Sequence, residues 1–296
     1  MKPSFDDMQI FWEVTETRSF TAAAERLGRT KSAVSQGVSR LEADLGTRLL
    51  HRTTRSLSLT DAGTRFLAHC RDLRSVYDMA VSDMSAGTEP SGMLSVTAPD
   101  ALSGPVVAPA VVDFVNRFPA VTVRFHSSDS TADLIGSQID LALRIGEPKA
   151  QSAKISKLGS LRKYLYASPS LITAQGGAPK CLAELKDWPH IANDWQGNPV
   201  RYDTPDGQTL RVIPRIRCNS FNEVLRLVEL GAGIARLPAI ATAGRVGTNA
   251  LEPLFDTGAV PVFAMHHFAQ RPPAKVQKFV QMIRMKLKEL QPGPQR

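Results

Sequence analysis

Cysteine is scarce in this chain, and so are other signs of a stapled or metal-held fold. Cys70, Cys181 and Cys218 are an odd number with no C-x-x-C spacing among 296 residues. That argues against a disulfide framework or a zinc cluster, and each is expected to be a small buried hydrophobe. Long apolar runs are missing too. Nothing approaches the roughly 18 to 20 residues of a membrane span, and "MKPSFDDMQIFW" has neither the apolar core nor the small-residue cleavage site of a signal peptide. A cytoplasmic protein with no membrane partner is expected. Catalytic signatures are also absent: there is no H-E-x-x-H, G-x-S-x-G, G-x-x-x-x-G-K-[ST] or G-x-G-x-x-G run. His266-His267 is an adjacent pair, but neighbours on a strand point to opposite faces, which disfavours joint metal ligation. No enzyme, cofactor or metal site is read.

Charge is present but unevenly informative. The formal net charge of +8 invites a nucleic-acid reading, yet residues 1–90 hold 12 Lys+Arg and 12 Asp+Glu, so the excess lies in the remainder. Locally the balance changes. Between Arg26 and Arg55, seven cations (Arg26, Arg29, Lys31, Arg40, Arg48, Arg52, Arg55) accompany two anions, Glu42 and Asp44. This basic stretch coincides with an unusual helix. In "GRTKSAVSQGVSRLEADLG", Gly28 to Gly46, Val34, Val38, Leu41 and Leu45 recur at helical spacing and form an inward face. The outward face carries Lys31, Ser32, Ser35, Gln36, Ser39 and Arg40, where an ordinary solvated helix alternates Glu and Lys.

The neighbours complete a unit. Asp6 to Glu16 reads as a first helix, with Met8, Phe11 and Val14 or Trp12 inward. A second, short helix after Thr21 as N-cap runs through "AAAERLG" to Gly28. Two short helices joined by a tight turn, the second with a small polar and basic outer face, make a helix-turn-helix. Small side chains let a backbone approach base edges in a major groove about 12 Å wide, where Ser and Gln can hydrogen-bond. Gly37, which inside a helix costs on the order of 1 kcal/mol against Ala, would be justified by a close DNA backbone or by tight helix packing. Arg29, Thr30, Lys31, Ser32, Ser35, Gln36, Ser39 and Arg40 are therefore expected to contact DNA. After Gly46, Leu49-Leu50 and Leu57 with Leu59 read as two short strands. The tip between them, Arg52, Thr53, Thr54 and Arg55, suits phosphate contact or minor-groove entry, which makes the unit a winged helix-turn-helix.

Thr60 and Asp61 then open a long helix to about Ser85. Its apolar residues Phe66, Cys70, Leu73, Tyr77, Ala80 and Met84 alternate spacings of four and three, a heptad seam. Behind a DNA-binding unit such a seam most simply pairs two chains, setting two recognition helices ~34 Å apart. The other reading packs the stripe on the protein's own core.

Residues 6–67 resemble the LysR-type transcriptional regulators. The resemblance rests on Ala22-Ala23 and Leu27, Ala33-Val34-Ser35, Leu41-Glu42-x-x-Leu45-Gly46, Arg52-x-x-Arg55 and Leu59-Thr60-x-Ala62-Gly63. The chain departs from the family at Ser32, where Pro is common, and at Gly37, where a polar or long residue is common. "SAGTEPSG", Ser85 to Gly92, is a linker by composition. Beyond it "MLSVTAP", "AVTVRFH" and "IDLALRIG" read as strands alternating with helices near Pro105–Arg117 and after Thr131, an α/β pattern with a mostly parallel sheet. A second half has Ser168-Pro169 opening a helix, a capping box Ser220-x-x-Glu223 before "FNEVLRLVELG", a strand in "GAGIARLP", and "VPVFAMHH" leading to a closing helix Pro273–Leu290.

"SVTAP", "RFPAV", "DLALRIG" and "GAGIARLP" extend the resemblance. It implies a two-lobed, type 2 periplasmic-binding-protein-like α/β effector domain, the chain crossing near residue 163 and returning near 266. The expected division is 1–60 for the winged helix-turn-helix, 61–91 for the linker helix and hinge, and 92–296 for the effector domain. Lobe one would be 92–163 with 266–296, and lobe two 164–265. Loops at strand ends carry the candidate effector contacts: Thr97, Ala98, Pro99 and Asp100; Ser127, Ser128 and Asp129; Asn219 and Ser220; with Arg144 at the end of "DLALR". The helix start at Ser220 favours a small anion, against which Asp100 and Asp129 weigh. The implied partners are double-stranded operator DNA, a small-molecule effector, further copies of the chain in a homodimer or homotetramer, and RNA polymerase as one more contact. The alternative is a thiol-based redox sensor using Cys218, just before a helix start, or Cys181.

Overall fold

A computed structural model describes residues 3–52, 57–84, 89–129, 139–147, 153–268 and 272–290, without the side chains of Arg52 and of residues 71, 72, 75 and 78–84. The chain divides into two units, Met1–Gly87 and Thr88–Arg296.

In the first unit α1 (Phe5–Thr17), α2 (Phe20–Leu27) and α3 (Lys31–Leu45) start at hydroxyl caps. Ser4, Ser19 and Thr30 each accept from the N–H three residues on, at 3.0, 3.3 and 3.2 Å. The cap of α2 is thus Ser19 and not Thr21, which lies inside the first turn. Ile10, Phe11, Val14, Ala23, Ala24, Val34, Val38 and Leu41 form the core with Leu49 and Leu50. β1 (Leu50–Arg52) pairs antiparallel with β2 (Leu57–Leu59); Thr53, Thr54 and Arg55 at the tip lie outside the described residues. α4 (Asp61–Met84) begins where the Thr60 hydroxyl accepts the Gly63 N–H at 2.9 Å. A Cβ on Gly63 would sit 2.0 Å from the Leu49 carbonyl oxygen, so glycine is what lets α4 lie against the wing.

The seam on α4 needs correction. Phe66 lies against Phe11 with ring centroids 5.9 Å apart, and Cys70 is 4% exposed within the same core. Both residues serve their own unit, because the first turns of α4 cover α1 and the wing. Leu73 and Tyr77 are 45% and 55% exposed, with Val76 beside them at 54%. The side chains of Ala80 and Met84 lie outside the described residues.

The second unit runs β3 (Gly92–Ala98), α5 (Asp100–Leu102), a π turn (Ser103–Val107), α6 (Ala108–Arg117), β4 (Val121–Ser127), β5 (Leu141–Ile145) and β6 (Lys154–Ala167). Next come α7 (Pro169–Ala174), β7 (Ile191–Asn193), β8 (Val200–Asp203), β9 (Thr209–Val212), β10 (Ile216–Cys218) and α8 (Phe221–Glu229). β11 (Ala235–Pro238), α9 (Ala239–Gly247), β12 (Glu252–His266) and α10 (Ala274–Glu289) complete it. The largest sheet has the order β11-β6-β12-β5-β3-β4. It is less parallel than the sequence suggested: β3 is parallel to β4 and β5, but β5, β12, β6 and β11 pair antiparallel. The reason is that the chain crosses and returns along two long strands, β6 and β12, paired from Glu252↔Ala167 to His266↔Lys154. The crossing is therefore two extended strands and not two points near 163 and 266. The helix expected after Thr131 falls on residues outside those described.

Alternation along the strands sets up the lobes. In lobe one Leu94, Val96, Leu141, Leu143 and Val262 pack on Phe114, Phe279 and Ile283. In lobe two Leu165 and Ala167 face Leu182, Leu185 and Tyr202, while Tyr166, Ala235 and Leu237 face Phe221, Val224 and Val228 of α8.

Candidate nucleic-acid interface and interlobe cleft

α3 presents the face expected of it. Val34, Val38 and Leu41 are wholly buried, whereas Lys31, Ser32, Gln36, Ser39 and Arg40 are exposed and Ser35 is half-buried. Several groups on or beside that face are already engaged. Thr30 is the cap, and the Ser39 hydroxyl donates back to the Ser35 carbonyl at 3.0 Å. Arg29 donates from both terminal nitrogens to the Asp6 carboxylate, 2.7 Å each, and holds that carboxyl below its ordinary value. Arg40 donates to Asp7, from Nη2 at 2.7 Å and Nε at 3.3 Å, and the acid raises the guanidinium in turn. Asp7 is 5% exposed. With Glu13 also 3.6 Å from Arg26, the local excess of five cations falls to two. Arg29 and Arg40 therefore brace α1 against the turn and α3, a role the basic window alone did not reveal.

Gly37 is settled by the same packing. A Cβ there would lie 2.6 Å from Ile10 Cδ1 and 3.0 Å from Asp7 Oδ1, so helix packing, with no appeal to DNA, accounts for glycine. Glu42 is 7% exposed, and its Oε1 accepts the N–H groups of Leu49 and Leu50 at 2.8 and 3.1 Å, fixing the wing to α3. Its position four residues after Val38 and three before Leu45 put it on the inner face, a signal already in the sequence.

In the second unit Thr97, Ala98 and Pro99 are buried, and the polar cluster begins at Asp100. The Asp100 N–H donates to Asp129 Oδ1 at 3.2 Å, and the Ser127 hydroxyl donates to Asp100 and lies 2.7 Å from the Ser103 hydroxyl. From lobe two, the Ser220 hydroxyl donates to Asp100 Oδ2 at 3.3 Å, Asn193 Nδ2 to Asp129 Oδ2 at 3.4 Å, and the Phe221 N–H to Asp129. Ser220 is the N-cap residue of α8, but its hydroxyl makes no cap bond; Asp100 takes it and the expected capping box does not form. Asn219 is exposed, and Asn193, which no local sequence pattern singles out, supplies the amide. Burial, then the nearby Asp100 charge, pushes the Asp129 carboxyl up. Arg144 donates to the Leu143 carbonyl at 2.7 Å; burial lowers it and the Asp129 charge opposes that. The Ser128 N–H donates to the Ala98 carbonyl at 2.9 Å.

Residues 5–64 match the family profile described as bacterial regulatory helix-turn-helix protein, lysR family, and residues 87–288 match the LysR substrate binding domain. The chain belongs to the LysR family of transcriptional regulators. It is 33% identical to the HTH-type transcriptional regulator PtxR of Pseudomonas aeruginosa, over 95% of this chain and 92% of that one. It is 30% identical to the HTH-type transcriptional activator AaeR of Escherichia coli, over 93% and 91%. Among solved structures, the LysR-type regulator CrgA of Neisseria meningitidis aligns with a TM-score of 0.58 at 27% identity, over 97% of this chain and 99% of that one. Full-length AphB of Vibrio cholerae shares the fold, with a TM-score of 0.57 at 22% identity over 95% and 98%.

As a LysR-type regulator the protein is a DNA-binding transcription factor with an effector-binding domain, in a family that binds operator DNA and small-molecule effectors and forms oligomers. Its relatives are transcriptional regulators, a non-enzymatic family. Among the described residues no helix is long and apolar enough to cross a membrane.

Proposed function

We propose that this LysR-type regulator reads its operator with Ser32, Ser35 and Gln36 on base edges, and holds phosphate with Arg52, Thr53 and Arg55 of the wing. A small effector bound between the lobes at Asp100, Asp129 and Ser220 sets its activity in the cytoplasm. One observation carries the second half: Ser220 and Asn193 of lobe two donate to Asp100 and Asp129 of lobe one. A ligand that supplies its own donors to those carboxylates changes how the lobes are tied.

The positive end of α8 already faces Asp129, so the cluster favours a neutral or cationic effector with N–H or O–H donors over the anion expected from the sequence. A thermal-shift screen of amines, neutral sugars, carboxylates and phosphates tests it. Amines or sugars should raise the unfolding midpoint of wild type and lose that effect in Asp100→Asn and Ser220→Ala. Equal responses in all three proteins would refute the site.

Leu73, Val76 and Tyr77 are the residues of α4 that pair two chains in this reading, and the dimer is the unit from which a tetramer or a contact with RNA polymerase is built. Leu73→Asp should give the monomer mass in analytical ultracentrifugation, whereas an unchanged mass would remove the assignment. The redox alternative is disfavoured at Cys218, whose thiol is pushed up by burial and then by Glu223 and Asp194, against thiolate formation. Peroxide treatment should leave operator affinity unchanged.

A further inference from the structure

The geometry points to a separate binding site for a small organic carboxylate, on the face of lobe two that looks away from α8, built from Lys163, Arg236, Tyr202 and Trp195. Strand alternation gathers these groups. Tyr164 and Tyr166 of β6 and Ala235 and Leu237 of β11 join the α8 layer, so Lys163 and Arg236 point to the opposite face. The register pairs Arg236 with Leu165 and Pro238 with Lys163, which makes the two cations diagonal neighbours.

Two like charges placed side by side in a partly buried site call for a counterion. Burial pushes the Lys163 ammonium down to about 8, and the Arg236 charge adds to the effect. Burial also lowers Arg236. The acid that acts on Arg236 is Asp203, an exposed residue bonded to Arg201 and Thr209. Arg236 Nη1 donates to the Arg201 carbonyl at 3.3 Å, but its buried Nε has no acceptor among the described residues. The hydroxyl of Tyr202, a residue with 0% exposure, has no partner there either, and the Arg236 guanidinium lies 5.7 Å from that ring. Trp195 is 60% exposed, with the Lys163 ammonium 5.6 Å from its ring.

An anion would answer the uncompensated pair of cations. A planar carboxylate fits the guanidinium fork and can accept from the lysine as well. The exposed indole gives a flat apolar wall for the body of the ligand. The site shares no residue with the Asp100–Asp129 cluster and stands or falls without it.

The test uses the full-length protein, with benzoate, acetate and inorganic phosphate as probes and benzylamine as the charge-reversed control. Tryptophan fluorescence and the thermal midpoint are the readouts. Benzoate should bind saturably and raise the midpoint, acetate should bind more weakly, and any response to benzylamine should be the same in wild type, Lys163→Met and Arg236→Gln. Lys163→Met and Arg236→Gln should each weaken benzoate by about tenfold or more, the loss of one charge-assisted contact. Trp195→Ala, at an exposed position, should weaken benzoate while leaving acetate unchanged. Ser220→Ala and Asp100→Asn should keep wild-type benzoate affinity, even if they abolish the response to amines or sugars. Benzoate affinity unchanged in the Lys163 and Arg236 variants overturns the site, and so does a loss confined to the Ser220 and Asp100 variants. Phosphate binding tighter than benzoate overturns the carboxylate assignment.

Discussion

Acidic side chains brace each of the two units internally, but they meet different partners. In the N-terminal unit Asp6 faces Arg29, Asp7 faces Arg40, and Glu13 lies near Arg26 and Arg74. In the regulatory unit Asp129 meets amide and backbone donors beside a second carboxylate, Asp100. A carboxylate against a guanidinium is geometrically fixed, and Arg29 also holds the Asp6 carboxyl below its ordinary value. One that is half-desolvated beside a like charge is easier to re-partner. In the proposed reading the first arrangement suits a rigid DNA-binding unit and the second suits a cleft that responds to a ligand.

Substitutions can sharpen that contrast. The largest effect is expected from Gly63→Ala, where the added methyl would meet the Leu49 carbonyl oxygen, a backbone atom with little room to yield. Calorimetry should show the N-terminal unit losing about 3 kcal/mol or more, while the transition of the regulatory unit stays in place. Loss of both transitions would mean that the two units do not unfold independently. Glu42→Ala comes next. It strips the Leu49 and Leu50 N–H groups of their shared buried acceptor, so urea unfolding should report a loss of about 1–3 kcal/mol. A neutral result would show that the wing holds itself.

Lys163 gives a pH-dependent test of the regulatory unit. Its folded value of about 8 lies below its ordinary 10.5. Below about 8 the ammonium is charged in both folded and unfolded chains, and the fold bears the full desolvation cost. That cost shrinks as pH rises from 8 to 10.5 and vanishes above it. Lys163→Met should therefore raise the midpoint at pH 7 and lose most of that gain by pH 10.5. A gain constant across that range would contradict the desolvation. The smallest effect belongs to Asp6→Asn, which breaks an exposed ion pair and should shift stability by less than about 1 kcal/mol. Released from Asp6, Arg29 should raise nonspecific DNA affinity slightly at low salt; no change would leave Arg29 with a bracing role alone.

What the sequence made legible follows the range of each signal. Helical period and terminal glycines act within a few residues, and α3 from Lys31 to Leu45 is legible from them, whereas the cap of α2 is Ser19 and not Thr21. The braces could not: Arg29 finds Asp6 across 23 positions and Arg40 finds Asp7 across 33. Phe66 and Cys70 show the same limit, since a heptad spacing does not say whether the stripe meets another chain or the home core. In the regulatory unit the strand ends are legible, but the sequence points to Asn219 where Asn193 makes the contact. That choice depends on which lobe-two loop faces Asp129, which no local pattern encodes. Lys163 and Arg236 meet only through the pairing of β6 with β11.

In the proposed reading α3 supplies sequence readout and the wing supplies backbone grip. Fluorescence anisotropy of wild type, Gln36→Ala and Arg55→Ala on single-base variants of a DNA site selected by the protein, over a range of salt, addresses it most directly. Gln36→Ala should lose ~1 to 3 kcal/mol of preference at one base pair and keep the others. Arg55→Ala should weaken specific and nonspecific DNA alike and lower the salt slope by about one. If both variants lose affinity uniformly over every site, the division of labour between helix and wing is wrong.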